Sequence, residues 1–159
     1  METLEHILAE QEFMHGLKPE HVAILAGCAT NVRFEAGQQL FSEGDEATQF
    51  YMLRQGHVVL ETHVPGRGGV TVQTVGAGEI LGWSWLVPPY EWRISARATE
   101  LTRAIALDGT CLRKKCEADH DLGYEILKRF AHIINERLDT ARVQLLDMYA
   151  KSTPARKGR

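Results

Sequence analysis

Ser84 is placed where a hydrolase could present a nucleophile. It lies in Gly82-Trp83-Ser84-Trp85-Leu86, which is close to the sharp turn that exposes the catalytic serine of α/β-hydrolases. That turn ends on a glycine, whereas this segment ends on Leu86, and it requires a strand-to-helix turn of a parallel sheet. We therefore predict no serine nucleophile and no catalytic residue.

Cysteine and histidine side chains form two sets that could bind a metal ion. Cys111, Cys116 and His120 offer three zinc ligands, but a fourth ligand and the close Cys-x-x-Cys spacing are missing. His57 and His63 fall on one face of a possible strand, without a third ligand in phase. We predict no metal site, and a metal-dependent jelly-roll enzyme is the third-ranked hypothesis.

Glu79 is a carboxylate in a glycine-framed segment, where it either binds a ligand or has a purely local role. It stands between two glycines in Gly78-Glu79-Ile80-Leu81-Gly82, and glycines at such positions predict tight turns. Trp83 and Ser84 follow directly. The alternative is a solvated turn residue, or an acid that interacts with a helix dipole.

The composition of the 159 residues sets the context for these candidates. Hydrophobic residues make up 44%, charged residues 25%, and the formal net charge is −3. These values predict one soluble domain without the basic face of a nucleic-acid-binding protein. No segment approaches the roughly 18 apolar residues of a membrane span, and residues 1–5 lack the features of a secretory signal. We expect a cytoplasmic protein whose three cysteines are reduced thiols.

The elements that must position the candidates fall into three regions of a single domain over residues 1–150. Residues 1–29 predict a helical cap, with Pro19 as a first helical residue. Residues 30–108 contain short apolar runs separated by glycine-rich turns, which indicate an antiparallel β-roll or jelly roll. Residues 109–150 return to helical spacing, and residues 151–159 predict a mobile basic tail. The fold class is mainly β with flanking helices.

The glycine-framed segment from Gly37 to Gly56, with Glu43-Gly44-Asp45 as its central turn, resembles the signature of cyclic nucleotide-binding domains. The resemblance continues through Gly78–Gly82 and covers about residues 5–150. It implies a β-roll with a jelly-roll strand order, N-terminal helices and a long C-terminal helix. In catabolite-activator-type regulators such a domain is followed by a DNA-binding domain, which we do not find here.

The resemblance also implies a binding site built around a phosphate-binding cassette, a short turn whose backbone N–H groups bind the cyclic phosphate. Glu79 matches the carboxylate that accepts a hydrogen bond from the ribose 2′-hydroxyl. Thr140, on the long helix, is the candidate for contact with the base. The ligand-binding set is Gly78, Glu79, Ile80, Leu81, Gly82, Trp83, Ser84, Trp92, Arg93 and Thr140.

This sequence departs from the family where the family has an arginine that neutralises the phosphate. Trp92 occupies that position in a predicted strand over residues 92–99. Arg93 is one residue out of phase and would replace the arginine only if a bulge intervened. The aromatic residues around Trp92 either fill the cavity or reshape it for a flatter, less charged ligand.

The terminal helix carries an apolar stripe with steps of three and four residues. Its members are Leu127, Phe130, Ile134, Leu138, Ala141, Leu145 and Met148. Such a stripe either packs on the sheet or pairs with a second copy of the helix, and we predict a homodimer through residues 120–148.

The leading hypothesis is a non-enzymatic ligand-sensing regulatory module that binds a cyclic nucleotide such as cyclic AMP or cyclic GMP. A ligand between the Gly78–Ser84 turn and the 92–99 strand would reposition the terminal helix. We expect no direct DNA binding and an unknown downstream protein as partner. The alternative is a degenerate fold that binds no nucleotide and acts as a protein-interaction or dimerisation scaffold.

Overall fold

A computed structural model describes residues 3–152 of the chain. The chain divides into two compact units, one ending at Glu125 and the other beginning at Ile126. The first unit contains all the strands and most of the helices. The second contains the rest of the last helix, which begins in the first unit. The tail that we predict for residues 151–159 lies outside the described residues from position 153 onward.

Eight strands form two four-stranded antiparallel sheets. The strands are β1 (Ala29–Phe34), β2 (Gln39–Phe41), β3 (Gln49–Gln55), β4 (His57–Val64), β5 (Gly68–Gly76), β6 (Ile80–Leu81), β7 (Ser95–Ala98) and β8 (Thr102–Asp108). The strand orders are β1-β8-β3-β6 and β2-β7-β4-β5. Buried residues of both sheets form the core, as the alternation of apolar residues requires. The predicted mainly β fold with flanking helices is confirmed.

Helices precede and follow the strands. They are α1 (Leu4–Ala9), a 3-10 turn (Glu12–Met14), α2 (Pro19–Gly27), α3 (Gly109–Ala118) and α4 (His120–Ser152). α2 begins at Pro19, where a missing N–H costs no hydrogen bond. The Asp108 side chain accepts from the Cys111 amide at 3.0 Å and caps α3. None of the described helices has both the length and the apolar character that crossing a bilayer requires.

Asp119 separates α3 from α4 and stabilises the first turn of α4. Its carboxylate accepts hydrogen bonds from the amides of Asp121 at 3.1 Å and Leu122 at 3.2 Å. It also lies 3.3 Å from Nε2 of the buried His21 side chain on α2. These hydrogen bonds, the Leu122 amide first, lower the pKa of the Asp119 carboxyl. The contacts fix the start of α4 against α2.

Two predictions are wrong in detail. The strand predicted over residues 92–99 is only Ser95–Ala98, because the segment before Ser95 follows the turn around Asp45 instead of a neighbouring strand. Reduced cysteines are also contradicted, since Cys28 and Cys111 form a disulfide with their Cα atoms 6.0 Å apart. Pairing of Ala29 with Leu107 in β1 and β8 brings the two cysteines together. Cys116 is a free, half-buried thiol.

Candidate ligand-binding site

A single backbone turn after β6 has the features of an anion-binding site. Gly82 leaves β6 with a φ of 94°, and the amide of Leu86 donates to the carbonyl of Trp83 at 3.0 Å to close the turn. Within residues 3–152, the amides of Gly82 and Ser84 donate to no protein acceptor. Backbone N–H groups left free at a tight turn can bind a small anion.

The side chain of Trp92 packs directly on this turn. Its ring is stacked on Phe41, with ring centroids 3.7 Å apart and an angle of 8° between the planes. Only 5% of Trp92 is exposed. A Cβ atom at Gly82 would lie 2.5 Å from Cη2 of the indole, so the ring fits only because position 82 is glycine. Trp92 is therefore part of the wall of the site.

The backbone of Trp92 is held by the Glu43-Gly44-Asp45 turn. The amide of Gly44 donates to the Trp92 carbonyl at 2.7 Å, and the Trp92 amide donates to the Asp45 carbonyl at 2.9 Å. This turn is the centre of the glycine-framed signature in the sequence. Its role here is to anchor the segment that carries the tryptophan.

Arg93 points away from the core. It is exposed, whereas the preceding Trp92 is buried. No bulge brings Arg93 onto the buried face among the described residues. Its contribution to ligand binding stays a prediction.

Glu79 directly precedes β6 in the chain, whereas the Gly82–Leu86 turn directly follows it. Its carboxylate accepts a hydrogen bond from the Gly76 amide at 3.2 Å. The Gly78 amide donates to the carbonyl of Leu53 at 2.8 Å and so joins this turn to β3. The ribose-binding role of Glu79 stays a prediction.

Ile80 and Leu81 form β6 and are buried, at 6% and 1% exposure. They pair with Met52 and Tyr51 of β3. Burial raises the pKa of the Tyr51 hydroxyl, which donates to Oε1 of Gln49 at 3.0 Å. Ile80 and Leu81 therefore join the turn to the sheet and contribute no charged side chain to it.

Trp85 and Arg113 complete the site from the other end of the turn. Trp85 is fully buried and stacks on Phe50, with ring centroids 5.0 Å apart. Arg113 of α3 donates from Nη1 to the Trp85 carbonyl, and its Cζ lies 4.1 Å from the centre of the Tyr90 ring. Arg113 carries no signal in the sequence, because nothing local distinguishes it from the lysines that follow it on α3.

Thr140 lies on α4 in the second unit. Its hydroxyl donates to the carbonyl of Glu136, one turn earlier in α4, at 3.1 Å. Such a bond satisfies the hydroxyl within its own helix. Contact of Thr140 with a base stays a prediction.

Two of the candidate metal ligands have other partners. Cys111 is held in the disulfide, and His57 Nδ1 contacts the Glu100 carboxylate. No group of three or more His, Cys, Asp or Glu side chains within residues 3–152 is arranged to hold a metal ion.

Comparison with known proteins decides the family. The model of the cyclic nucleotide-binding domain matches residues 31–119, more than half of the chain. The chain belongs to the cyclic nucleotide-binding domain family. This confirms the resemblance carried by the glycine-framed segments, and residues 82–86 occupy the region that the resemblance assigns to the phosphate-binding cassette.

Similar proteins include both regulators and isolated domains. The chain is 24% identical over 153 residues to a CRP-like cAMP-activated global transcriptional regulator of Mycobacterium tuberculosis, covering 96% of this chain and 66% of that protein. A protein of Geobacter metallireducens assigned as cyclic nucleotide-binding is 29% identical, with a TM-score of 0.77, covering 87% of this chain and 99% of that chain. The catabolite activator protein of Thermus thermophilus is 26% identical, with a TM-score of 0.68, over 87% and 62% of the two chains.

The chain spans just under two thirds of the length of the mycobacterial regulators it matches. The matched family domain, residues 31–119, lies within the part of this chain that the comparison covers.

Proposed function

We propose that this domain is a non-enzymatic sensor that binds a cyclic nucleotide, with the cyclic phosphate at the turn from Gly82 to Leu86. The observation that carries the proposal is the pair of amides, Gly82 and Ser84, that lack a protein acceptor at this turn. Neutral amides can hold a phosphate without a cation because several N–H dipoles converge on one anion. Relatives named as cyclic AMP-activated regulators support the ligand class.

Isothermal titration calorimetry of the full chain tests the proposal. We expect saturable binding of cyclic AMP, cyclic GMP or a cyclic dinucleotide, and no comparable binding of 5′-AMP or inorganic phosphate. Saturation at 100 times the dissociation constant should stabilise the fold by about 2.7 kcal/mol in a thermal shift experiment. Flat titrations with every cyclic nucleotide would contradict the proposal.

Ser84 provides a matched pair of variants that tests the amides themselves. Ser84→Pro removes the N–H group, whereas Ser84→Ala keeps it and removes only the hydroxyl. We expect Ser84→Pro to weaken binding about tenfold or more and Ser84→Ala to change it about twofold at most. Equal affinities would show that the Ser84 amide does not hold the phosphate.

The predicted side-chain contacts are tested in the same assay. If Glu79 and Arg93 contact the ligand, Glu79→Ala and Arg93→Ala each weaken binding. A loss in Glu79→Ala alone would exclude Arg93 as the replacement for the family's arginine.

The packing of Trp92 favours a second candidate function, a scaffold that binds no nucleotide. Its ring fills the place beside Gly82 where the family resemblance expects a guanidinium, and 95% of its surface is covered. A buried indole adds no positive charge to the site. Absence of binding in the wild type, together with an intact protein partner or dimer, would favour this candidate over the sensor.

A homodimer and a downstream protein partner are part of the proposal. The stripe on α4 includes Leu138, Leu145 and Met148, which are 46%, 56% and 67% exposed. Repeats of this kind bury their apolar side chains by pairing helices. A sensing module of this size passes its signal through such a surface.

We propose a cytoplasmic location, and the disulfide makes this part testable. Disulfides are rare in reducing compartments, so this location requires that Cys28 and Cys111, which are bonded in the structure, be at least partly reduced in the cell. Alkylation of thiols in rapidly acid-quenched cells, followed by mass spectrometry, measures the oxidised fraction. Complete oxidation of the pair in vivo would contradict a cytoplasmic location.

A further inference from the structure

Arg113 joins two parts of the loop that follows the candidate cassette. From α3, its Nη1 donates to the carbonyl of Trp85, and its Cζ lies 4.1 Å from the centre of the Tyr90 ring. Its Nη2 lies 3.4 Å from the hydroxyl of Thr110, one turn earlier. The guanidinium is suited to this arrangement because it is planar and can stack on a ring while it donates in its own plane.

The helix that carries Arg113 is itself fixed against the same loop. The Gly109 amide donates to the carbonyl of Thr48 at 2.7 Å. A Cβ atom at Gly109 would lie 2.8 Å from Cβ of Trp85, so the start of α3 is in close contact with the tryptophan. Asp108 caps the helix. The first turn of α3, which precedes Arg113, is therefore fixed by these contacts.

The loop is held by its own turns and by contacts with other elements. Its backbone bonds include Leu86 N–H to Trp83 and Tyr90 N–H to Val87, each 3.0 Å, and the Tyr90 carbonyl accepts from the Ala47 amide at 2.7 Å. Tyr90 has a φ of 58°, a conformation that L residues rarely adopt, and it persists when the surroundings hold it. The ring contact with Arg113 is one such constraint.

We propose that Arg113 is the positioning residue of the cassette: it holds the loop from Trp83 to Tyr90 in one conformation before any ligand arrives. By fixing the Trp85 carbonyl, it holds the Trp85–Leu86 peptide, which lies two peptides after the one that carries the free amide of Ser84. A site that is ordered in advance loses less conformational entropy on binding. The effect on ligand affinity rests on the proposed function, whereas the ordering of the loop does not.

Hydrogen exchange of the ligand-free protein tests the ordering directly. Arg113→Ala should make amides of residues 83–92 exchange at least about tenfold faster, with exchange in β3 and β8 unchanged. Arg113→Lys keeps the charge and loses the planar fork, so we expect an intermediate rate. Lys114→Ala removes a neighbouring exposed cation from the same helix and should behave like the wild type.

Tyr90 variants test the same clamp from the loop and leave α3 unchanged. Tyr90→Leu removes the ring beneath the guanidinium, whereas Tyr90→Phe keeps it. We expect faster exchange of residues 83–92 in Tyr90→Leu alone. This pair keeps the test decisive if Arg113→Ala fails to fold.

Calorimetry with cyclic AMP then measures the consequence for binding. Arg113→Ala should weaken binding about tenfold, Arg113→Lys less, and Lys114→Ala not at all. Wild-type exchange rates for residues 83–92 in both Arg113→Ala and Tyr90→Leu would overturn the positioning role. If the wild type binds no cyclic nucleotide, the proposed function fails, and the exchange rates alone decide the role of Arg113.

Discussion

At the scale of single residues, Gly82 and Trp92 depend on each other. The indole lies against the α carbon of Gly82, and the φ of 94° is one that only glycine adopts at little cost. Position 82 therefore serves both the conformation of the turn and the packing beneath it.

We expect Gly82→Ala to destabilise the fold more than Gly78→Ala does. Gly78 has a similar φ of 86°, but a Cβ there would meet nothing within 4 Å. Gly78→Ala should therefore cost about 1–2 kcal/mol from backbone conformation alone. Gly82→Ala should cost about 1–3 kcal/mol more because the new methyl group meets the Trp92 ring. Urea unfolding measures both.

A second set of unfolding curves identifies the cause. In a Trp92→Leu background the excess cost of Gly82→Ala should shrink, since the colliding ring is gone. An unchanged excess would mean that the strain at position 82 has another source.

Asp119 should contribute to the fall of the free energy of unfolding at acid pH. Its folded-state pKa is lowered, chiefly by the Leu122 amide, so the unfolded state binds more protons as the pH falls. The stability from Asp119 is therefore present above the unfolded pKa of about 3.9 and is lost as the pH falls through the lower, folded value. Asp119→Asn should flatten the fall in the urea midpoint between about pH 5 and pH 2. Asp121→Asn is the control and should leave the fall in the urea midpoint as steep as in the wild type.

The residue-scale predictions from sequence succeeded where the cause is local. The glycines that frame residues 78–82 predicted tight turns, and Gly78 and Gly82 both have positive φ. Arg113 had no such signal, because its partners lie more than twenty residues earlier in a loop without periodicity. Its role follows from the position of α3 alone.

At the scale of elements, the disulfide joins the end of α2 to the first turn of α3. Cys28 directly follows α2, and Cys111 is the third residue of α3. The sequence could not pair them, since 83 residues separate them and only the register of β1 against β8 brings them close. Apolar alternation and glycine turns did predict the β-roll, because both act over a few residues.

Removing the Cys28–Cys111 bond should lower the free energy of unfolding. The chain-entropy model gives about 4–5 kcal/mol for a loop of 83 residues, and measured losses range over about 2–5 kcal/mol. We expect Cys28→Ser and reduction by dithiothreitol to shift the urea midpoint equally. Cys116→Ser should shift it little.

Thiol chemistry supplies the control for this prediction. Burial, followed by the charge of Asp119, raises the pKa of the Cys116 thiol and keeps it a poor nucleophile toward the disulfide. Because Cys28 and Cys111 are bonded, protein that is denatured without a reductant should show one reactive thiol, Cys116, with Ellman's reagent. Three reactive thiols would mean that Cys28 and Cys111 are not bonded.

At the scale of the whole molecule, the long helix determines whether the domain acts alone. Leu127, Ile134, Leu138, Ala141 and Leu145 follow one another at steps of seven, four, three and four residues, which keeps them on one side of α4. Ion pairs within the helix, Arg142 with Asp139 and Lys151 with Asp147, accompany the stripe. An exposed apolar stripe of this length fits a second copy of the chain.

Leu138→Asp should convert the proposed homodimer into a monomer, because it places a charge in the middle of the stripe where pairing would bury it. Val143→Asp is the matched control: Val143 is also exposed, at 65%, but lies about 140° around the helix from Leu138. Sedimentation velocity over a range of concentrations should give the dimer mass for wild type and Val143→Asp and the monomer mass for Leu138→Asp. A wild-type monomer at about 100 μM, or equal masses for the two variants, would show that this stripe does not pair with its copy, and the helix would then be free for the downstream protein instead.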